Sequence, residues 1–270
     1  MQLSHADGGF LLPRTDMRTT FLALQILAVG CLASCMPHAR AYVGASFMRV
    51  EGDMALQNAG GTLNLGQDVN TIEDLGAEET SGSAYLRAEA DWGPHRARVS
   101  GFGATPSGEG TLADSFGDLS AGAPVRSQLD YENFTAAYTF DVIPTSLVRL
   151  GLGVEVGIHR FDLLVDQTNS NAFEELEADF WTPMPCIDAE VDLGAVSFCL
   201  NIGAFDVDLG DADGNYHDAE AFVRWAPLLG FELIGGWRSM VIDANGEADS
   251  RDFRTDIEVS GWFLGGGISF

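Results

Sequence analysis

The sixteen C-terminal residues, Thr255 to Phe270, read TDIEVSGWFLGGGISF. In an extended strand successive side chains alternate between faces, so Trp262, Leu264, Ile268 and Phe270 fall together on one side. That side is apolar and carries an aromatic residue at each end. The other side holds Phe263, Gly265, Gly267 and Ser269, where glycine leaves room for neighbours on the crowded inner side of a curved sheet. Chain termini are normally polar and frayed, so a strand running to a terminal Phe is expected to be tied into a sheet. A buried last strand of a soluble β-sandwich or lipocalin-like barrel would also fit these residues, and the pattern has to be followed upstream.

The same period of two continues back to Tyr42, and no helical period is sustained. Ala84, Leu86, Ala88, Ala90 and Trp92 share one face, opposite Tyr85, Arg87, Glu89 and Asp91. Val148, Leu150, Leu152, Val154, Val156 and Ile158 share another, opposite Arg149 and Glu155. One face suits lipid, the other water or countercharge. Ten strands are predicted, at 42–51, 83–92, 95–105, 126–141, 147–161, 180–191, 195–206, 215–226, 230–242 and 254–270. Tight connections at Gly93-Pro94, 142–146, 192–194 and 227–229 alternate with long ones at 52–82, 106–125, 162–179, 207–214 and 243–253. Hairpins that cross a bilayer require this alternation, and an even strand number puts both termini on one side. Acidic blocks fall in the long connections, where charge lies outside a hydrocarbon layer. The predicted fold is all-β: a closed antiparallel up-and-down transmembrane barrel. A soluble sandwich has no need of so regular a division.

Outside the N-terminal region no apolar run reaches the roughly 18 residues of a spanning helix, and without helices only a closed barrel satisfies its backbone in lipid. All 14 basic residues are arginine, and the formal net charge of −26 excludes the clustered positive surface that nucleic acid requires. Arg14 and Arg18 precede an apolar run at 21–30, and Ala39-Arg40-Ala41 offers small residues for cleavage. Residues 1–41 are therefore read as a signal peptide and leader, and 42–270 as the mature barrel. Leu32-Ala33-Ser34-Cys35 is a rival processing box that would leave a lipidated Cys35.

The spacing Gly265-x-x-Ile268-x-Phe270 resembles the C-terminal assembly signal of Gram-negative outer-membrane β-barrels, with Trp262 and Leu264 on the same row. Phe263 stands where that signal carries a polar residue. Together with the leader, the ten segments, Gly61-Thr62-Leu63-x-Leu65 and Ile72-Glu73-Asp74-Leu75-Gly76, the chain is similar to the small outer-membrane barrels grouped with the OmpW and OmpA transmembrane domains. The resemblance implies a cell outer membrane location, lipid and lipopolysaccharide as surroundings, handling by the barrel-assembly machinery, a monomer and no cofactor. It is specific for architecture and not for activity.

If Gly93-Pro94 is a two-residue turn, Asp91 faces Arg96 and Glu89 faces Arg98 on the inner side, giving two cross-strand ion pairs. With Arg87, Arg149 and Glu155 they form either a charged constriction for solutes or a barrel interior plugged by satisfied charges. Ten strands barely exceed the eight whose interior side chains fill, which favours the plug. His159 with Asp162, and His217 with Asp218, lie near the expected outer rim and suggest a rim hydrolase as the rival function. Rim histidines among so many acids are expected by chance, so no catalytic, cofactor or metal residue is assigned. Asp211-x-Asp213-Gly214 reads as an acidic hairpin turn, because Leu209 stands where a calcium loop needs its first ligand. Cys186 and Cys199 both fall on the inward parity. A turn at 191–194 would set them opposite one another, as a hairpin disulfide or as two small inward thiols. The function expected is a structural or surface component of the outer membrane, with passage of small molecules as a second role.

Overall fold

Each stretch of alternating parity forms a strand that pairs antiparallel with its neighbour until the last returns to the first. The computed structural model describes residues 37–61, 65–208, 213–248 and 251–270; most of the leader, with Cys35, lies outside the described residues. The strands are β1 (His38–Leu56), β2 (Asn70–Thr71), β3 (Ser81–Trp92), β4 (His95–Ala104), β5 (Ser107–Thr111), β6 (Pro124–Pro144), β7 (Val148–Gln167), β8 (Phe173–Asp192), β9 (Val196–Asp208), β10 (Asp213–Leu228), β11 (Phe231–Ala248) and β12 (Arg251–Ser269), with one short helix, α1 (Ile72–Leu75). Ten of these strands make a closed ring, sealed by β12 on β1 from Arg40↔Ser269 to Leu56↔Phe253. β2 and β5 pair with β1 and β6 beyond the ends of β3 and β4. Closure gives every strand of the ring a partner on both sides, as a bilayer requires.

β1 begins at His38, before the expected first strand and across the expected cleavage point after Ala41. Ala39 and Phe270 exchange backbone hydrogen bonds at 2.9 Å in both directions. Gly267 faces Tyr42, and a Cβ there would stand 2.4 Å from the tyrosine ring, so only glycine lets that ring lie flat against β12.

The connections expected to be long at 162–179 and 243–253 are largely strand. β7 runs to Gln167 and β8 starts at Phe173, while β11 runs to Ala248 and β12 starts at Arg251. Asp213 and Gly214 are not a hairpin turn either. They pair with Asp208 and Val207 inside the β9–β10 ladder, and Asp211 lies outside the described residues. Acidity marks where strands enter water, not where they stop.

The barrel has a turn end, near both termini and the tight connections, and a loop end. In the turn-end half the outward row is apolar, as in Val43 and Phe47 of β1, Val154 and Ile158 of β7 and Trp262, Leu264 and Ile268 of β12, all exposed. Above this belt the core is inside the barrel. Met54, Leu56, Val125, Leu129, Leu163, Val165 and Leu176 are buried there, covered by Ile72 and Leu75 of α1 and by Leu112, Phe116 and Leu119. Each such burial contributes roughly 1.5–3 kcal/mol. α1 is held by a capping box in which Thr71 Oγ1 accepts from Asp74 N at 3.0 Å and Asp74 accepts from Thr71 N at 2.9 Å.

Candidate functional site

Strand parity sends seven arginines into the turn-end lumen: Arg40, Arg87, Arg96, Arg98, Arg149, Arg224 and Arg238, each bonded to a carboxylate. Arginine suits this place because its planar fork reaches carboxylates on different strands at once. Near the turn end Asp91 accepts from Arg40 at 2.7 Å and from Arg96 at 3.0 Å, and Arg96 reaches across to Glu190 at 2.7 Å. Arg224 bridges Glu190 at 2.8 Å and Glu89 at 2.6 Å, and donates to the Tyr42 hydroxyl at 3.0 Å. Tyr42 in turn donates to Glu232.

One layer further up, Arg87 holds Glu89 at 2.6 Å and also pairs with Glu220, which accepts from Asn201 at 2.8 Å and Tyr85 at 3.0 Å. Arg98 holds Asp188 at 2.9 Å and pairs with Glu155. Arg238 binds Asp218 at 3.0 Å and Thr135 at 2.8 Å. The guanidinium groups of Arg87 and Arg238 lie over the rings of Phe222 and Phe102, at 4.3 and 5.1 Å. Between Arg98, Glu155, Asp218, Glu220 and Arg238 lies a pocket of about 10 Å³, no more than one water occupies.

All seven residues proposed from sequence for the luminal network, Arg87, Glu89, Asp91, Arg96, Arg98, Arg149 and Glu155, lie inside the ring; Arg149 is the least buried of them. Their pairing differs in one respect. Glu89 and Arg98 face each other in the β3–β4 register as expected, yet each turns to partners across the lumen and they form no ion pair. Sequence reasoning did not assign Arg224, Arg238, Asp218, Glu220 and Glu232; their inward parity on β10 and β11 was the available signal.

The cysteines are also placed differently. Cys186 and Cys199 are both buried and free, with Cys186 opposite Gly203 and Cys199 opposite Glu190. The cause is the turn. Leu193 N donates to Val196 O at 2.9 Å, and Asp192 caps Gly194 N at 2.7 Å. Gly194 takes φ 91°, which a side chain would resist. The turn centre therefore lies two residues later than expected, which moves the register by four.

Above the charges sits a polar and aromatic layer. His159 Nδ1 meets the Tyr131 hydroxyl at 2.8 Å, its Nε2 meets Thr182 Oγ1 at 3.0 Å, and its ring stacks on Phe180 with centroids 4.7 Å apart. Asp162 lies on the opposite parity of β7, and His217 and Asp218 point to opposite faces of β10, so neither His/Asp pair of the hydrolase reading converges. His95 bonds the Tyr138 hydroxyl at 2.6 Å near the turn end. Among the described residues one trio of acids, Asp162, Glu175 and Glu177, lies close enough to share a cation, on the outer face of the β7–β8 hairpin.

Over this layer opens a cavity of about 480 Å³. Six rings line it, those of Phe161, Phe180, Trp181, Phe205, Tyr216 and Phe253.

No family model matches the chain, and no curated protein matches its sequence. Among solved structures, the outer membrane protease OmpT of Escherichia coli is similar over 86% of this chain and 97% of its own, with TM-score 0.57 and 8% identity. Ail, the attachment invasion locus protein of Yersinia pestis, is similar over 86% of this chain and 98% of its own, with TM-score 0.34 and 11% identity. The P. putida toluene transporter TodX is similar over 88% and 91%, with TM-score 0.32 and 8% identity. At such identities the likeness concerns the fold alone, and that fold is the outer-membrane β-barrel.

Proposed function

We propose that the chain is an integral component of a Gram-negative outer membrane that serves as a closed structural and surface barrel, not as a conduit. The observation that carries this reading is the filled lumen. At the level of the apolar belt seven arginines are each bonded to a carboxylate inside the lumen, the pocket beside Arg98 and Arg238 holds about 10 Å³, and ten strands enclose far less than the sixteen or so of an open porin. The loop end, with its acidic outer face, then projects from the cell into a shell of lipid and lipopolysaccharide. The resemblance to the OmpW and OmpA transmembrane domains supports placement among small surface barrels and assembly by the barrel-assembly machinery. The proposed role is non-enzymatic. The purified barrel in planar bilayers is expected to be electrically silent at moderate voltage. Discrete, reproducible conductance steps would overturn the closed-barrel reading in favour of passage of small molecules.

A further inference from the structure

A barrel that only plugs a membrane does not need a wall with a gap in it. The β8–β9 ladder stops at Cys186↔Gly203, although β8 continues up to Phe173 and β9 to Asp208. Ala204, Phe205 and Asp206 could have extended that register and instead pair with β10 alone among the described residues. On β8 the corresponding positions include Pro183 and Pro185, which have no N–H to offer a ladder. Both prolines keep their register with β7, opposite Val156 and Val154, so it is the β9 side that is left unpaired. The gap begins inside the apolar belt, since Val154 and Pro185 belong to its outward row. Met184 lies over Gly203 at its foot, a flexible side chain at the point where the wall divides.

Behind the gap is the 480 Å³ cavity, a volume within the range of small-molecule sites. Trp181 and Phe205 flank it from β8 and β9. Its wall contains two buried hydroxyls with no hydrogen-bond partner, Tyr216 OH and Thr255 Oγ1. Unpartnered buried hydroxyls are costly, and a ligand that bonds one relieves the cost. The described lining holds no arginine to balance a negative charge, so an anion is disfavoured.

We propose that the loop-end cavity binds an uncharged hydrophobic molecule with one hydrogen-bonding group, of the class of long-chain alcohols, and that this ligand enters sideways from the membrane between β8 and β9. The proposal rests on the membrane placement above but not on closure of the lumen. Binding of radiolabelled 1-dodecanol to the full barrel in lipid nanodiscs, corrected for empty discs, tests it separately from conductance. One saturable site per chain is expected, with dodecanoate about tenfold weaker. Ala178→Trp and Ala244→Trp, which fill the cavity from two strands, should each weaken dodecanol about tenfold. Tyr216→Phe combined with Thr255→Val should weaken dodecanol and leave dodecane unchanged. Absence of saturable binding, or wild-type affinity in both filled variants with wild-type circular dichroism, overturns the site. Pro183→Val with Pro185→Val restores the missing donors and should slow uptake about tenfold at unchanged affinity; unchanged uptake overturns the sideways route.

Discussion

Along β7 the inward residues Arg149, Glu155 and His159 give way to Phe161, Leu163 and Val165, while the outward row changes from Val154 and Ile158 to Arg160, Asp162 and Asp166. β6 makes the same exchange, from Asp141, Thr139 and Thr135 inside to Tyr131, Leu129 and Val125, as its outer row passes from Phe140 and Phe134 to Glu132 and Arg126. One continuous wall thus encloses two interiors of opposite character. The loop-end half is surrounded by water and builds an apolar core for the reason any soluble β protein does. The turn-end half is surrounded by its own apolar belt, and sequestering more apolar groups inside it would gain nothing relative to lipid. Its interior is instead held by hydrogen-bonded charges, which are stable there only as a fully satisfied set.

The comparison can be broken at several points, with consequences of decreasing size. Removing Phe270 takes away the residue that closes β12 against Ala39 and ends the exposed apolar row. The expected result is loss of most folded barrel from the outer membrane, read by heat-dependent gel mobility; wild-type yield would count against its role in assembly.

In the charged half, Arg224→Met strips Glu89 and Glu190 of a shared partner and should cost about 3–5 kcal/mol in unfolding from liposomes. Adding Glu89→Leu should recover part of that loss. The same cycle run on Glu89 and Arg98 should show a smaller coupling, because these two do not touch.

In the apolar half, Leu163→Ala should cost about 2–5 kcal/mol through the cavity it leaves. That loss should be independent of salt. Arg160→Ala, at an exposed pair with Glu132 3.2 Å apart on the outer wall, should cost less than about 1 kcal/mol and nothing in high salt. The smallest effect is a null one: reducing agent should leave the unfolding midpoint unchanged. Alkylation of the unfolded, unreduced chain should label both Cys186 and Cys199; absence of label would restore the disulfide.

The ring of ten strands was legible because parity is a local property, readable two residues at a time wherever one face is apolar. Strand ends were not. Leu163, Val165 and Leu176 carry the same alternation into the segment expected to be a loop, but there the apolar residues point inward, and the acids between them were taken as the end of a strand. The luminal residues were legible as inward charges, while their partners were not. Glu89 finds Arg224, and Arg87 finds Glu220, more than a hundred residues along the chain and across the lumen, where strand register gives no guidance. The cysteine pairing failed on a single turn, because Gly194 and the Asp192 cap moved the hairpin centre and carried every facing pair with it.

The seam between the chain's two ends spans seventeen residues of β1, Arg40 to Leu56, whereas the seam between β8 and β9, joined by a tight turn, spans only seven, Cys186 to Asp192. Of these two seams the one between covalent neighbours is therefore the more weakly zipped, and the one between the most distant parts of the sequence is the longer. Under stress such a ring should tear from within, beside the prolines, while its termini stay locked. Amide protons of β9 that face β8 should exchange with solvent ahead of those between β1 and β12. The ring would thus open into a single sheet whose free edges, β8 and β9, stay tethered by the Asp192 turn.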